Sequence, residues 1–479
     1  MTSPLVVRPS NGHRTTLGAS ATRHQVADGA ALLIVVIALA YLLPERLIFT
    51  DLASVGRPAM LAGMALAGWW FLTRLHPALV TGGRQPVRWA LGTYLVSLLF
   101  GYAAGQIRGL SVLEQNGADR AILAALAFAG VALIAADGIT DRRRLDLVLR
   151  TTVWAGAAMA VLGIGQFVLQ RDFTEFISVP PVLTFQAPPV GFSPRGAGGM
   201  FRVAGTAGHY IEFSVLLAMI LPLAIHYTRY AADRRHRQLF GGITALLVLT
   251  IPLSLSRTGI LALFVVLAAM APAWSWRARL NAACAALGLA VVLNVIRPGL
   301  IGTMRALLLN TENDPSIIGR TEDYAVVAPL VAERPWFGRG TGTFLPELYL
   351  LLDNQWLLTL VSGGLIGVVG LAVVYLTGIG LSLSSYRRAM AQRESASAAA
   401  GARAGAGAGP RAGAGEASRD MHLAAALGAG LLVAMLSGFT FDALYFSTYA
   451  LTVALFLGAA GALWRLLGDA HPDGVADAD

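Results

Sequence analysis

The chain reads as an all-α polytopic membrane protein with about twelve transmembrane helices, and three observations carry that reading. Hydrophobic residues make up 56% of the 479 positions. Charged residues make up 13%, half the roughly 25% of an average soluble domain. The apolar residues are gathered into runs of about 15 to 25, the length that crosses a hydrocarbon core at 1.5 Å rise per residue.

Taken in order, the candidate spans are 27–43, 58–75, 87–106, 118–139, 145–169 and 211–230, followed by 239–256, 259–273, 282–296, 355–383, 423–439 and 443–466. Residues 1–26 form a polar, basic tail. The first apolar run lacks a small-residue cleavage pattern, so it reads as a retained span. The segment Ser254-Leu255-Ser256-Arg257-Thr258-Gly259 fits a tight turn or the middle of one kinked helix. Two long connections, 170–210 and 297–354, interrupt the series. The block 27–383 therefore holds ten helices and both loops. Residues 384–420, rich in alanine and glycine, read as a disordered linker. Two more helices fill 421–466, and 467–479 is a tail. The loops of the two halves differ in length, charge and motif, which argues against a transporter built from repeats.

The net charge of +9 does not point to nucleic acid in a chain of this composition. All 36 basic residues are arginine, so only location can mark a functional one. Their placement orients the chain. With the N-terminus in the cytoplasm, the basic segments around Arg74 to Arg88, Arg142 to Arg144, Arg229 to Arg237, Arg277 to Arg279 and Arg387 to Arg393 all face inward. Both termini are then cytoplasmic and both long loops extracytoplasmic. A single cysteine, Cys284, excludes an intramolecular disulfide and is expected to be a small buried apolar residue.

Four polar clusters share the extracytoplasmic face. The first runs from Phe201 to Tyr210, with Arg202 and His209, and leads into a span carrying Glu212. The second holds Arg257. The third, Gly319-Arg320-Thr321-Glu322-Asp323-Tyr324, opens an expected amphipathic helix that stops at Pro335. The fourth runs from Arg339 to Asp353, Asn354 and Gln355. Arginines gathered at one membrane face suit a diphosphate, because guanidinium–phosphate contacts are bidentate and charge-assisted. Each group also has a plainer role. Arg257 can snorkel to the interface; Arg320 can pair with Glu322 or Asp323; Asp353 and Asn354 can cap a helix; His209 can be an interfacial histidine. Glu212, near the start of a span, is costly to leave unpaired. The run Gly338-Arg339-Gly340-Thr341-Gly342 can be an anion nest of backbone amides or a turn.

The residues from Ile318 to Tyr375 carry Gly-Arg-Thr-Glu-Asp-Tyr, then Glu-Arg-Pro-Trp-Phe-Gly-Arg-Gly-Thr-Gly-Thr-Phe, then Asp-Asn-Gln-Trp with Ser-Gly-Gly-Leu-Ile-Gly. This pattern resembles the O-antigen ligase and polymerase superfamily, and Arg202 to His209 and Ser254 to Arg257 resemble upstream elements of it in the right order. The resemblance implies a GT-C-like, lipid-dependent glycosyltransferase in the cytoplasmic (inner) membrane. It implies a glycan donor on undecaprenyl diphosphate, no metal or other cofactor, and inverting transfer at the outer face. Arg202, Arg257 and Arg320 would hold the diphosphate, with Arg339 a further candidate. Asp353 or His209 would be the base, supported by Asn354 and Glu212. Ligases of this superfamily usually carry histidine where this chain has Asp353, which favours polymerisation over transfer to a lipid or protein acceptor. A glycan or lipid-linked acceptor and the bilayer are the expected partners; a chain-length regulator is a candidate, and nucleic acid is not expected. A peptidoglycan-type polytopic glycosyltransferase and a lipid-linked oligosaccharide flippase are the competing readings.

Overall fold

The computed structural model describes residues 28–75, 83–177, 181–186, 194–195, 200–296, 302, 315–402 and 410–469. It is an all-α polytopic membrane protein, with thirteen helices among the described residues. In chain order they are α1 (Gly29–Leu42), α2 (Pro58–Arg74), α3 (Pro86–Arg108), α4 (Val112–Gly138), α5 (Arg142–Leu169), α6 (Tyr210–Arg229) and α7 (Arg234–Leu253). These are followed by α8 (Arg257–Met270), α9 (Trp276–Ile296), α10 (Pro315–Glu333), α11 (Gln355–Ala402), α12 (Pro410–Ser437) and α13 (Ser447–Asp469). Each of the twelve apolar runs becomes one of these helices, and α10 is the amphipathic element expected before Pro335. Among the described residues, eight helices are long and apolar enough to cross a membrane. The shorter α1 and α8 are apolar as well.

The core is built around α6. Ile211 to Ala224 are all buried, and α5, α7, α8 and α12 pack around them. On the other side of α12, α11 packs against α3 and α13, and α13 lies along α4. The segment 254–256 is a tight turn between α7 and α8, with Leu255 at a φ of 51°. Two short antiparallel pairs add the only sheet among the described residues. β1 (Leu47–Phe49) pairs with β2 (Leu183–Phe185), and β3 (Pro194–Arg195) pairs with β4 (Met200–Phe201).

One helix is broken inside the apolar region. At Gly364 the α11 backbone takes a φ of 63° and a ψ of −164°, and the loop after α10 fills the gap. The Arg339 and Gly340 amides donate to the carbonyls of Val361 and Ser362, each at 2.9 Å. In return, the amides of Leu365 and Ile366 donate to the carbonyls of Pro335 and Trp336, at 2.8 and 3.2 Å. The glycine-rich run therefore spends two of its amides on helix carbonyls, and a third, that of Gly338, on the Arg334 carbonyl. It is a structural plug, not an anion nest.

The two ends of the bundle differ. One end collects the connections 43–57, 109–111, the described parts of the segment between α5 and α6 (170–177, 181–186, 194–195 and 200–209), 254–256, 334–354 and 438–446. The other end is arginine-rich and partly neutralised. Asp137 accepts from Arg74, Arg88 and the Trp70 indole, while Asp146 accepts from Arg142 and Arg419. Arg144 pairs with Asp28, and Arg388 lies over the Trp464 ring at 4.6 Å.

Two expectations are corrected. Residues 384–420 are helical wherever they are described, since α11 runs to Ala402 and α12 begins at Pro410. Alanine is the best helix former and offsets the interspersed glycines. Residues 403–409 lie outside the described residues, as do the tail 1–26, residues 470–479, Arg297 and Arg305. Cys284 is exposed on α9, where the apolar face that a soluble protein would bury is turned outward.

Gly364 is the position where substitution should hurt most. A Cβ there would strike the Trp336 carbonyl, and the φ is one that L side chains rarely adopt. Gly364→Ala should destabilise the protein by about 1–3 kcal/mol, read as a lower melting temperature in detergent. At Gly363 a Cβ meets open space, so Gly363→Ala should leave the melting temperature unchanged or raised. Equal melting temperatures for the two variants would refute this account of the break.

Candidate functional site

The loop-rich end holds a cavity of about 540 Å³ bounded by α3, α4, α11 and the turn between α12 and α13. Its polar lining includes Arg57, Asn116, Arg120, Glu347, Gln355, Asp442 and Ser447. Deeper in, Leu98, Ala124, Phe128 and Gly367 make it apolar.

The turn 438–446 is the central wall, and Gln355 fastens it. The Gln355 amide donates to the carbonyls of Gly438 and Phe441 at 2.7 and 3.1 Å. Its side-chain Oε1 accepts from the Leu444 amide at 2.8 Å. Asn354 caps α11, with Oδ1 accepting from the Leu357 amide at 3.0 Å. The capping role thus falls to Asn354, and Asp353 stands just outside the helix, half-buried. Its charge reaches Asp442 in the turn. Burial, then the Asp353 carboxylate and Glu45, push the Asp442 carboxyl up to about 7.

Consecutive rings of the turn serve different compartments. Tyr445 lines the cavity, with Arg57 and Arg120 over its ring at 5.7 and 5.2 Å. Phe446 meets His209, ring centroids 5.9 Å apart. His209 in turn stacks beside Tyr210 at 4.0 Å, and Arg202 lies over the Tyr210 ring at 4.3 Å. The buried Nε of Arg202 has no acceptor among the described residues.

His209 is the N-cap of α6, and its Nδ1 accepts from the Ile211 amide at 3.3 Å. That bond leaves Nε2 as the N–H donor. Burial, and after it the Arg202 guanidinium, push the imidazole down to about 4. His209 is therefore a neutral donor near pH 7. The loop that carries it is seated by Gln166, which accepts from the Gly205 amide at 2.8 Å and donates to the Gly205 carbonyl at 3.1 Å. Gly205 has a φ of 58°, and a Cβ there would press on Phe213 and Met159.

Two carboxyls tie this loop to the wall. The Gly208 amide lies 3.0 Å from Glu45 Oε2 and 2.9 Å from Glu212 Oε2. The two carboxyls thus lie side by side on one donor. Glu45 also accepts from Arg57 at 3.2 Å and from the Ser447 hydroxyl at 2.8 Å, and Glu212 accepts from the Tyr449 amide at 3.1 Å. Burial pushes the Glu45 carboxyl up, but Arg57 and the hydrogen bonds from Glu212 and Ser447 outweigh it and hold it below the usual carboxylate range.

The expected site residues share one face but not one cavity. Arg202 and His209 form a compartment on the Phe446 side. Arg257 opens α8, whose Gly259 packs on Ser214 in the first turn of α6, so it belongs to the same end. Asp353 joins Asp442. Arg339 is occupied: it donates to the Tyr349 hydroxyl at 3.2 Å, lies near Glu333 at 3.6 Å, and gives its carbonyl to Arg108. Tyr349 and Arg108 both reach Glu114, so this network locks the loop. Arg320 is on α10, and its side chain lies outside the described residues.

Sequence reasoning missed Glu45, Arg57, Arg120 and Asp442. Arg120 had a signal, since an arginine inside an apolar run is a site candidate by position alone. Asp442 had a weaker one, as the only carboxylate between the last two spans.

No curated protein matches the chain. Residues 242–372 match the family model for O-antigen ligase, a stretch that runs from α7 to the middle of α11 and contains Arg257, Asp353 and the break at Gly364. Over that stretch the chain is similar to the O-antigen ligase family.

Proposed function

We propose that this protein transfers a glycan from an undecaprenyl-diphosphate carrier to an acceptor sugar at its loop-rich end, with inversion at the anomeric carbon. The observation that carries the reading is the Asp442 carboxyl in the cavity wall, within reach of the Asp353 charge and across the 438–446 turn from the Arg202–His209 compartment. The acceptor hydroxyl oxygen attacks the anomeric carbon as its proton passes to Asp442. The bond from the anomeric carbon to the phosphate oxygen breaks, and its electron pair leaves with the diphosphate. Arg202 and Arg257 would balance the charge that develops there, and electrostatic stabilisation of this kind is usually the largest catalytic contribution. His209, as a neutral donor, would hydrogen-bond the leaving oxygen. Asp353 raises the basicity of Asp442 through its like charge. Asp353 and His209, the bases expected from the sequence, thus take supporting parts.

The arginine-rich end faces the cytoplasm on this reading, by the positive-inside rule, and the reaction takes place outside the inner membrane. Aspartate at position 353 favours polymerisation of lipid-linked units. The description of the matching family favours a ligase, and this is the second reading.

The test is transfer by purified protein in liposomes, supplied with an undecaprenyl-diphosphate oligosaccharide and EDTA. Longer lipid-linked products support polymerisation, and their absence at every acceptor tried sinks the transferase reading. Asp442→Asn should lower the rate by about 10²–10⁴-fold, the usual worth of a general base; an unchanged rate removes Asp442 from that role.

The pH profile gives an independent check. A base must be ionised, so kcat/KM should fall as the pH drops through about 7, the value to which Asp442 is pushed. Asp353→Asn removes the like charge and lowers the Asp442 pKa, so the acidic limb should move to lower pH. A limb that stays in place would show that Asp353 does not act through Asp442.

A further inference from the structure

Arg120 is the charged group that the transfer chemistry above leaves unused. It sits eight positions into α4, about 12 Å below the helix start at 1.5 Å per residue. It lines the cavity, and the face of Tyr445 is its contact there. Among the described residues it has no carboxylate or hydrogen-bond partner. Arg57, by comparison, is held by Glu45 and by the Tyr445 carbonyl. A cation inside an apolar run is costly without an anion, and Arg74, Arg88, Arg142 and Arg419 at the opposite end show how this chain supplies one.

Below Arg120 the cavity becomes an apolar slot. Its lining on α4 runs from Asn116 to Phe128, and on α11 from Gln355 to Gly367, each twelve positions or about 18 Å. Small residues, among them Ala121, Ala124, Gly363 and Gly367, leave that space open. A cation at the head and an apolar slot beneath it, in one cavity of about 540 Å³, match a phosphate attached to a single long hydrocarbon chain. They match a two-chain glycerophospholipid poorly.

We infer that this cavity binds the phosphate end of a second polyisoprenyl-linked molecule, the acceptor, with Arg120 on its phosphate and the first isoprene units between α4 and α11. This rests on the transferase reading and narrows it to a reaction between two lipid-linked partners. The donor's diphosphate lies at Arg202 on the far side of the 438–446 turn, and the acceptor lies in the cavity with Asp442.

The experiment measures binding to the full chain in nanodiscs, using three probes: undecaprenyl phosphate, phosphatidylglycerol and inorganic pyrophosphate. Undecaprenyl phosphate should bind more tightly than either of the others. Arg120→Leu should weaken it by about tenfold or more, as expected for a lost charge-assisted contact. Gly363→Leu adds a side chain where a Cβ meets nothing within 4 Å; it should fill the slot and remove the advantage of undecaprenyl phosphate over pyrophosphate. Equal binding of phosphatidylglycerol, or undiminished undecaprenyl phosphate binding in both variants, overturns the inference.

Turnover separates this inference from the reading beneath it. Transfer that survives Arg120→Leu with an unchanged KM for a lipid-linked acceptor sinks the cavity site and leaves the transferase intact. Tight, Arg120-dependent binding in a protein that transfers nothing does the reverse.

Discussion

A backbone amide or carbonyl inside a bilayer has to find its partner within the protein, and the break in α11 is where this requirement shapes the whole loop-rich end. Breaking the helix at Gly364 frees carbonyls before it and amides after it. The loop from Pro335 to Gly340 takes up both sets. That exchange anchors a segment which would otherwise be a long solvated connection, and the anchored segment delivers Asp353, Asn354 and Gln355 to the start of α11. Gln355 then holds the turn 438–446, and the turn holds Asp442. The carboxyl pair is therefore positioned by backbone hydrogen bonds several steps removed from it.

Charge is treated differently at the two ends of the bundle. At the arginine-rich end, Asp137 and Asp146 each gather two guanidinium groups, so the cations are fixed and partly neutralised. At the loop-rich end Arg57 and Arg108 are paired in the same way, with Glu45 and Glu114, whereas Arg202 and Arg120 lie over tyrosine rings, those of Tyr210 and Tyr445. A ring face orients a guanidinium and leaves its N–H fork directed elsewhere. The carboxylates that could have quenched these arginines are placed against one another, as in the Glu45–Glu212 and Asp442–Asp353 pairs. Such an arrangement keeps cations and a base close together without letting them cancel.

Most of the architecture was legible because hydropathy reads the bilayer directly: every apolar run became a helix. The face on which the polar clusters meet was legible too, since helix count and loop position decide it. What could not be read was anything set by a local exception. The three-residue strand β1 has no periodicity to detect. Ser362-Gly363-Gly364-Leu365 looks like ordinary small-residue packing within a span, and only the seated loop reveals a break. Arg339 looked like a ligand because of its glycine neighbours, whereas Tyr349 and Glu333 account for it. Arg120 and Asp442 were passed over because one lay inside a span and the other in a connection of a few residues, places where pattern reading expects nothing.

Tyr445 and Phe446 are neighbours in sequence whose rings belong to separate compartments, one over Arg57 and Arg120, the other against His209. A planar peptide unit joins them, so a shift of the turn's backbone carries both rings with it. Occupancy on one side that moved this backbone would be felt by the imidazole on the other. Thermodynamic linkage makes such an influence mutual, with each occupant altering the other's affinity by the same factor. The partition can thus act as a lever, making the readiness of one chamber conditional on the contents of its neighbour.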